Sequence, residues 1–211
     1  MTTNPKRMPH GPAESLAERK LLARLLAFSQ SPACPETLVQ HFPSIGHVMA
    51  AEPDQLQALG LTLRDIELFR LVQRTACQMA KAAVRDRPIL GNSPALLSYL
   101  QTAMGYEQIE QFRILFLDRK NKLIADEVQQ RGTVDHTPVY PREVIKRALI
   151  LNASALILVH NHPSGDPTPS RDDIEMTRRL KTAISALELN LHDHIVIGHA
   201  SHTSFRSAGL L

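Results

Sequence analysis

Ala155-Leu-Ile-Leu-Val-His160-Asn-His162-Pro-Ser-Gly-Asp-Pro-Thr-Pro-Ser170-Arg-Asp-Asp173 is the stretch that decides how the rest of the chain reads. Its first residues form a short apolar run rich in branched side chains, which predicts a buried strand. His160 and His162 stand two apart at the end of that run. Side chains alternate faces along a strand, so the two imidazoles share one face. Pro163, Gly165, Pro167 and Pro169 then break the chain into a loop, and Ser170 opens a segment of strong helical periodicity. Asp173 falls on the first turn of that helix, where its carboxylate can point back toward the strand end. Two imidazoles and a carboxylate fixed in this way make a three-ligand set for a divalent metal. Three protein ligands leave a fourth tetrahedral position open for water, as a catalytic zinc requires. Imidazole donors suit zinc better than magnesium or calcium, which prefer oxygen shells. The stretch therefore predicts a metallohydrolase centre. Plainer roles exist for the same residues. Histidines at a strand end can serve structural hydrogen bonds alone, and Ser170-x-x-Asp173 is also the pattern of a helix capping box. Cap and ligand are compatible, because the cap positions the turn that presents the carboxylate.

The spacing His-x-His-Pro, six residues, Ser-x-x-Asp resembles the JAMM motif of MPN-domain zinc metallopeptidases. The fuller wording His160-Asn161-His162-Pro163-Ser164-Gly165-Asp166 is similar to that of the bacterial RadC proteins. Phe112 to Asp118, Gly132-Thr133, Tyr140-Pro-Arg-Glu-Val144, Asn152-Ala153 and Asp193-His-Ile-Val196 resemble RadC segments in the same order. The likeness covers roughly 110 residues, far beyond a chance motif match. It implies one zinc per chain, with His160, His162 and Asp173 as ligands, and Asp173 rather than the adjacent Asp172. It implies cleavage of a peptide or isopeptide bond in a peptide or protein substrate. It also implies a glutamate ahead of the first long strand that activates the bound water. Glu110, in Glu110-Gln111-Phe112, fits that place, with Glu107 and Glu127 as alternatives. The Ser170 hydroxyl is implied to steady the oxyanion as it develops. Ser207 stands where RadC proteins commonly carry an acidic residue, and the N-terminal region matches them poorly.

Length and composition bound these readings. A chain of 211 residues, 43% of them apolar, can bury a core as one domain or two small ones. It has no apolar run of the ~20 residues that a membrane-crossing helix needs, so no membrane partner is expected. Met1 to Gly11 is polar and proline-spiked without an apolar core, so no secretory signal is read there. Cys34 and Cys77 lie far apart, which fits a reducing cytoplasm better than a disulfide framework or a cysteine-based zinc site.

Along the chain, residues 1–13 read as a disordered leader. Residues 14–85 read as an all-helical domain, residues 86–92 as a linker, and residues 93–211 as the metallohydrolase domain. In this last part, Ser93-Pro94 starts a helix to about Met104, and Phe112–Leu117 and Leu123–Val128 form a strand hairpin. A helix from Pro141, the metal strand, a helix from Ser170 to about Leu189 and a strand over Leu191–Gly198 follow. The fold class is α+β, with a mixed or mostly antiparallel sheet and flanking helices, behind a small all-α domain.

Leu56-Gln-Ala-Leu-Gly60-Leu61 and the helix after it resemble the helix-hairpin-helix module of RadC proteins. Such a hairpin binds backbone phosphate through exposed amides, which implies DNA contact through residues 56–64. Here Leu61-Thr62 follows Gly60 where the module has a second glycine, and a purely packing bundle is the plainer reading. The basic excess is three residues, all of it before residue 86, which is thin for a nucleic-acid face. The rival to a hydrolase is thus a DNA-associated, repair-linked accessory protein whose metal site is structural or idle. His194 is read as a strand histidine that either contributes to the wall of the site or is purely structural.

Overall fold

A computed structural model describes residues 12–85, 87–89, 93–132 and 139–211. Most of the expected leader, part of the expected linker, Thr133 and His136 fall outside them. The chain divides into two compact units, Met1–Thr75 and Ala76–Leu211.

The first unit holds α1 (Pro12–Ser29), α2 (Pro35–His41), α3 (Ile45–Ala50), α4 (Pro53–Ala58) and the start of α5 (Leu63–Arg85). Pro35 and Pro53 open their helices, where the missing N–H costs no helical bond. Leu22, Leu26, Leu38, Leu56 and Phe69 form its core. Beside this apolar cluster lies one buried carboxylate, Asp65. It accepts hydrogen bonds from the Ser29 hydroxyl, from Ser31 Oγ at 2.7 Å, and from the Thr62 amide and hydroxyl at 2.7 Å each. The α4–α5 turn is tight at Gly60, whose φ of 88° suits glycine. Its amides are used internally: Gly60 donates to Gln57 O, Leu61 to Leu56 O, and Thr62 to Asp65.

The second unit is built on β1 (Glu110–Leu117), β2 (Leu123–Gly132), β3 (Ala155–Asn161), β4 (Asn190–Ile197) and β5 (His202–Ser204). They form one mixed sheet in the order β2-β1-β3-β4-β5, in which only the β3–β4 pair is parallel. Leu115, Leu117, Ile157, Val159, Ile195 and Ile197 pack on one face with Leu96, Leu100 and Met104 of α6 (Pro94–Met104). Ile114, Phe116, Leu156 and Leu158 pack on the other face. There they meet Val144 and Ala148 of α7 (Pro141–Ile150), and Leu180 and Ile184 of α8 (Arg171–Ser185). All seven residues of β3 are therefore buried.

Several elements differ in extent from the sequence reading. The division between units falls inside α5, about ten residues before the expected boundary, because amphipathic periodicity runs on through it. Val84 and Ile89 belong to the core of the second unit, and the Ile89 amide donates to Asn121 O at 2.7 Å. β1 begins two residues earlier and β2 ends four residues later, at Gly132 opposite Glu110. The polar β2 is an edge strand, and its inward Asp126 is neutralised by Arg113 at 3.0 Å and Lys81 at 3.2 Å, with the Tyr99 hydroxyl hydrogen-bonded to it. α8 stops at Ser185, since Glu188 takes a φ of 57° where no glycine announces a helix end. β5, three residues long, was not anticipated.

Burial opposes ionisation of Asp65, yet the bonds from Ser29, Thr62 and Ser31 outweigh it and hold the carboxyl below the ordinary range. A lowered folded pKa stabilises the fold above the unfolded value of about 3.9, and that contribution disappears as pH falls through the folded value. Asp65→Ala leaves four donors without their acceptor and is expected to cost roughly 1–3 kcal/mol. Urea unfolding of the full chain, with hydrogen exchange to locate the loss in residues 16–75, should show this and a flatter acid limb. Unchanged exchange there would refute the role given to Asp65.

Candidate metal centre

The site forms where β3 runs out of its apolar sheath. His160 is fully buried and His162 largely so, both on the α7–α8 face of the sheet. The Pro163–Pro169 loop returns the chain to the same end, and Ser170 caps α8. Ser170 Oγ accepts from the Asp173 amide at 3.1 Å, while the Ser170 amide and hydroxyl donate to Asp173 Oδ2 at 2.7 and 2.6 Å. The capping box thus turns the Asp173 carboxylate back onto the strand end. Its Oδ1 lies 3.3 Å from His160 Nε2, its Oδ2 lies 3.6 Å from His162 Nε2, and the two Nε2 atoms are 3.0 Å apart. A tetrahedral ion with bonds of about 2.0–2.1 Å spaces its donors about 3.3 Å apart, so these separations bracket what zinc needs. Among the described residues this is the one group of three His, Cys, Asp or Glu side chains able to hold a metal ion.

The electrostatics fit the same donor set. Burial disfavours the charged form of Asp173, but the imidazoles of His160 and His162 and the Ser170 hydroxyl beside it outweigh burial and hold the carboxyl far below the ordinary range. The contact with Asp173 raises the pKa of His162 against the pull of burial, with help from the Asp166 carbonyl and the charge of Glu110. His162 Nδ1 donates to Asp166 O at 2.8 Å, which leaves Nε2 as its inward atom. His160 Nδ1 lies 2.8 Å from His194 Nε2.

Glu110 lies beside the cluster. Phe112, two residues after Glu110, pairs with His160 in the antiparallel β1–β3 register, and the Glu110 charge acts on His162. The segment is clamped by Asn161, the residue between the two histidines. Asn161 Oδ1 accepts from the Gln111 amide at 2.8 Å, and Nδ2 donates to Glu107 O and Ile109 O at 3.3 Å each. Of the alternatives, Glu107 accepts from Gln111 Nε2 at 3.1 Å. Glu127 is bound to Arg147, whose Nε lies 3.0 and 2.9 Å from its two carboxylate oxygens. The loop after His162 is held by close backbone approach. A Cβ on Gly198 would sit 2.2 Å from Gly165 O, and Gln101 Nε2 fixes the neighbouring carbonyls of Gly198 and His199 at 2.8 and 2.6 Å.

Residues 90–210 match the family profile described as RadC-like JAB domain. The chain belongs to the RadC family. It is 52% identical over 206 residues to a UPF0758 protein of Rhodobacter capsulatus, across 95% of this chain and 96% of that one. It is 47% identical over 212 residues to a UPF0758 protein of Ruegeria pomeroyi, across 98% and 94% of the two chains. The RadC-like domain match starts beyond the helical unit, whereas both relatives match through it.

Within this RadC domain, His160, His162 and Asp173 come together, with Ser170 in contact with Asp173 and Glu110 near enough for its charge to act on His162. Asp172 is absent from the cluster. Thr177 and the role of Asn161 were missed. The available signals were a polar residue one helical turn beyond Asp173 on the buried side of α8, and an amide side chain inside an apolar strand. Asn161→Leu removes the clamp and is expected to cost roughly 1–3 kcal/mol through unpaired backbone groups. Hydrogen exchange at the Gln111 amide should speed up accordingly, and a Gln111 amide as protected as before would show that the clamp is immaterial.

Proposed function

We propose that this RadC protein is a zinc-dependent hydrolase of the JAMM type, acting on a peptide or isopeptide bond in a peptide or protein substrate. The observation that supports it most is the convergence of His160 Nε2, His162 Nε2 and Asp173 at tetrahedral spacing. These three residues would hold one zinc per chain. When bound, zinc supplies a Lewis acid for the scissile carbonyl and brings the pKa of a water down to about 7. Glu110, exposed at the start of β1 with its charge acting on His162, takes the proton of the attacking water. The water oxygen joins the carbonyl carbon, the C–N bond breaks, and Glu110 returns the proton to the departing amine. The Ser170 hydroxyl hydrogen-bonds the carbonyl oxygen as it gains charge, for which its proton must turn away from Asp173 Oδ2.

The rival, a DNA-associated accessory protein, draws little from residues 56–64. The amides of Gly60, Leu61 and Thr62 are bonded within the hairpin, and the Asp65 carboxylate occupies the turn where a phosphate would need to come.

Elemental analysis is expected to find one zinc per chain in the wild-type protein and little or none in Asp173→Ala. A folded wild-type chain that takes no zinc even when zinc is supplied would falsify the hydrolase reading. Glu110→Gln is expected to keep its zinc and to hydrolyse a peptide library roughly 10²–10⁴ times more slowly. Full turnover in Glu110→Gln would move the base to another glutamate.

A further inference from the structure

Behind His160 lies a chain of buried polar contacts that the hydrolytic reading leaves unused. His194, on β4, is wholly buried, between Phe112 at 6.0 Å and Phe205 at 4.5 Å between ring centroids. Its Nε2 meets His160 Nδ1 at 2.8 Å, and its Nδ1 meets Thr177 Oγ1 at 2.6 Å. Thr177, itself buried on α8, also lies 2.6 Å from the main-chain carbonyl oxygen of Asp173.

With the imidazoles neutral, proton counting along this chain has one solution. A carbonyl oxygen only accepts, so the single hydroxyl proton of Thr177 must point to Asp173 O. Thr177 Oγ1 therefore accepts from His194, which places a proton on His194 Nδ1. A neutral His194 with its proton on Nδ1 has none on Nε2, which is therefore an acceptor. His160 must then donate through Nδ1. A neutral His160 with its proton on Nδ1 has a bare lone pair on Nε2, the atom that faces His162 and Asp173.

We infer that Thr177 and His194 are positioning residues that hold His160 in the Nδ1-protonated tautomer, with Nε2 open toward the cleft it shares with His162 and Asp173. The purpose of this arrangement rests on the metal-centre reading; the tautomer itself does not. Ligand histidines generally owe their orientation to a partner on the second nitrogen, and losing that partner typically weakens metal binding about 10–100-fold. Here the partner is a second imidazole, steered in turn by a hydroxyl on the helix that carries Asp173.

Nitrogen-15 spectra of the full, metal-free chain, at a pH where its histidines are neutral, test the tautomer directly. Both His194 and His160 are expected to carry their proton on Nδ1. A proton on Nε2 of His160 overturns the inference. Zinc titration tests the consequence. Thr177→Val is expected to bind zinc about 10–100-fold more weakly than wild type, with Thr177→Ser restoring affinity. Wild-type affinity in a Thr177→Val chain whose spectra remain native also overturns it. Should the wild-type chain take no zinc at all, the metal reading fails, and the nitrogen-15 spectra still decide the tautomer.

Discussion

A polar side chain sealed inside a strand must find a partner, since leaving it unpaired costs roughly 1–3 kcal/mol. β3 carries two such residues side by side, His160 and Asn161, directed to opposite faces of the sheet. Much of the site follows from how each is satisfied. On one face Asn161 gathers the backbone of residues 107–111 and so fixes the start of β1, where Glu110 stands. On the other face His160 reaches His194 through one nitrogen and the open cleft through the other. The apolar residues before them, buried in both directions, give the pair no freedom to retreat. A strand that is apolar to its last two residues thus does more than support the centre; it sets where the partners of those two residues have to be.

The opposite face of the sheet solves a similar problem in charged form. Asp126 on the edge strand is enclosed by Arg113, Lys81 and Tyr99, and burial together with the Asp126 charge pushes the Tyr99 hydroxyl well above its ordinary pKa. This cluster ties β2 to β1 and to α6, on the side away from the histidines. The two faces therefore have separate duties. One keeps the hairpin of β1 and β2 attached and, through Asn161, fixes the segment that carries Glu110; the other gathers the histidines and Asp173.

How far the sequence disclosed this depends on how local the relevant chemistry is. The ligand set lies within fourteen residues, so alternation along a strand and a capping pattern at a helix start sufficed to assemble it on paper. Glu110 needed the resemblance to a family, because a carboxylate near a strand start has no periodicity of its own. Thr177 had only a weak signature, its place one helical turn beyond Asp173 on the buried side of α8, and a threonine on an amphipathic helix reads as filler until β4 brings His194 against it. His194 itself could be read either way from the sequence, and only its contacts tell the two apart. The unit division inside α5 was equally hidden. Helical periodicity describes which side of a helix is apolar, and says nothing about which core that side enters. The length of β2 escaped notice because an edge strand need bury only part of itself and so looks polar.

The contacts around His160 also close on themselves. From His160 they pass to His194, to Thr177, to the backbone of Asp173, and back through the Asp173 carboxylate to His160 Nε2. In mechanical terms this is a linkage bonded at every joint but the last, where the carboxylate faces the open nitrogen across 3.3 Å, and each bonded joint removes a freedom from the others. A linkage of this kind does not wait for a guest to take its shape. An ion entering such a frame orders little chain, so its binding would carry a small entropic cost and a small change in heat capacity. The same closure means that a disturbance at any joint, even one remote from the cleft, reaches the donor atoms undiluted.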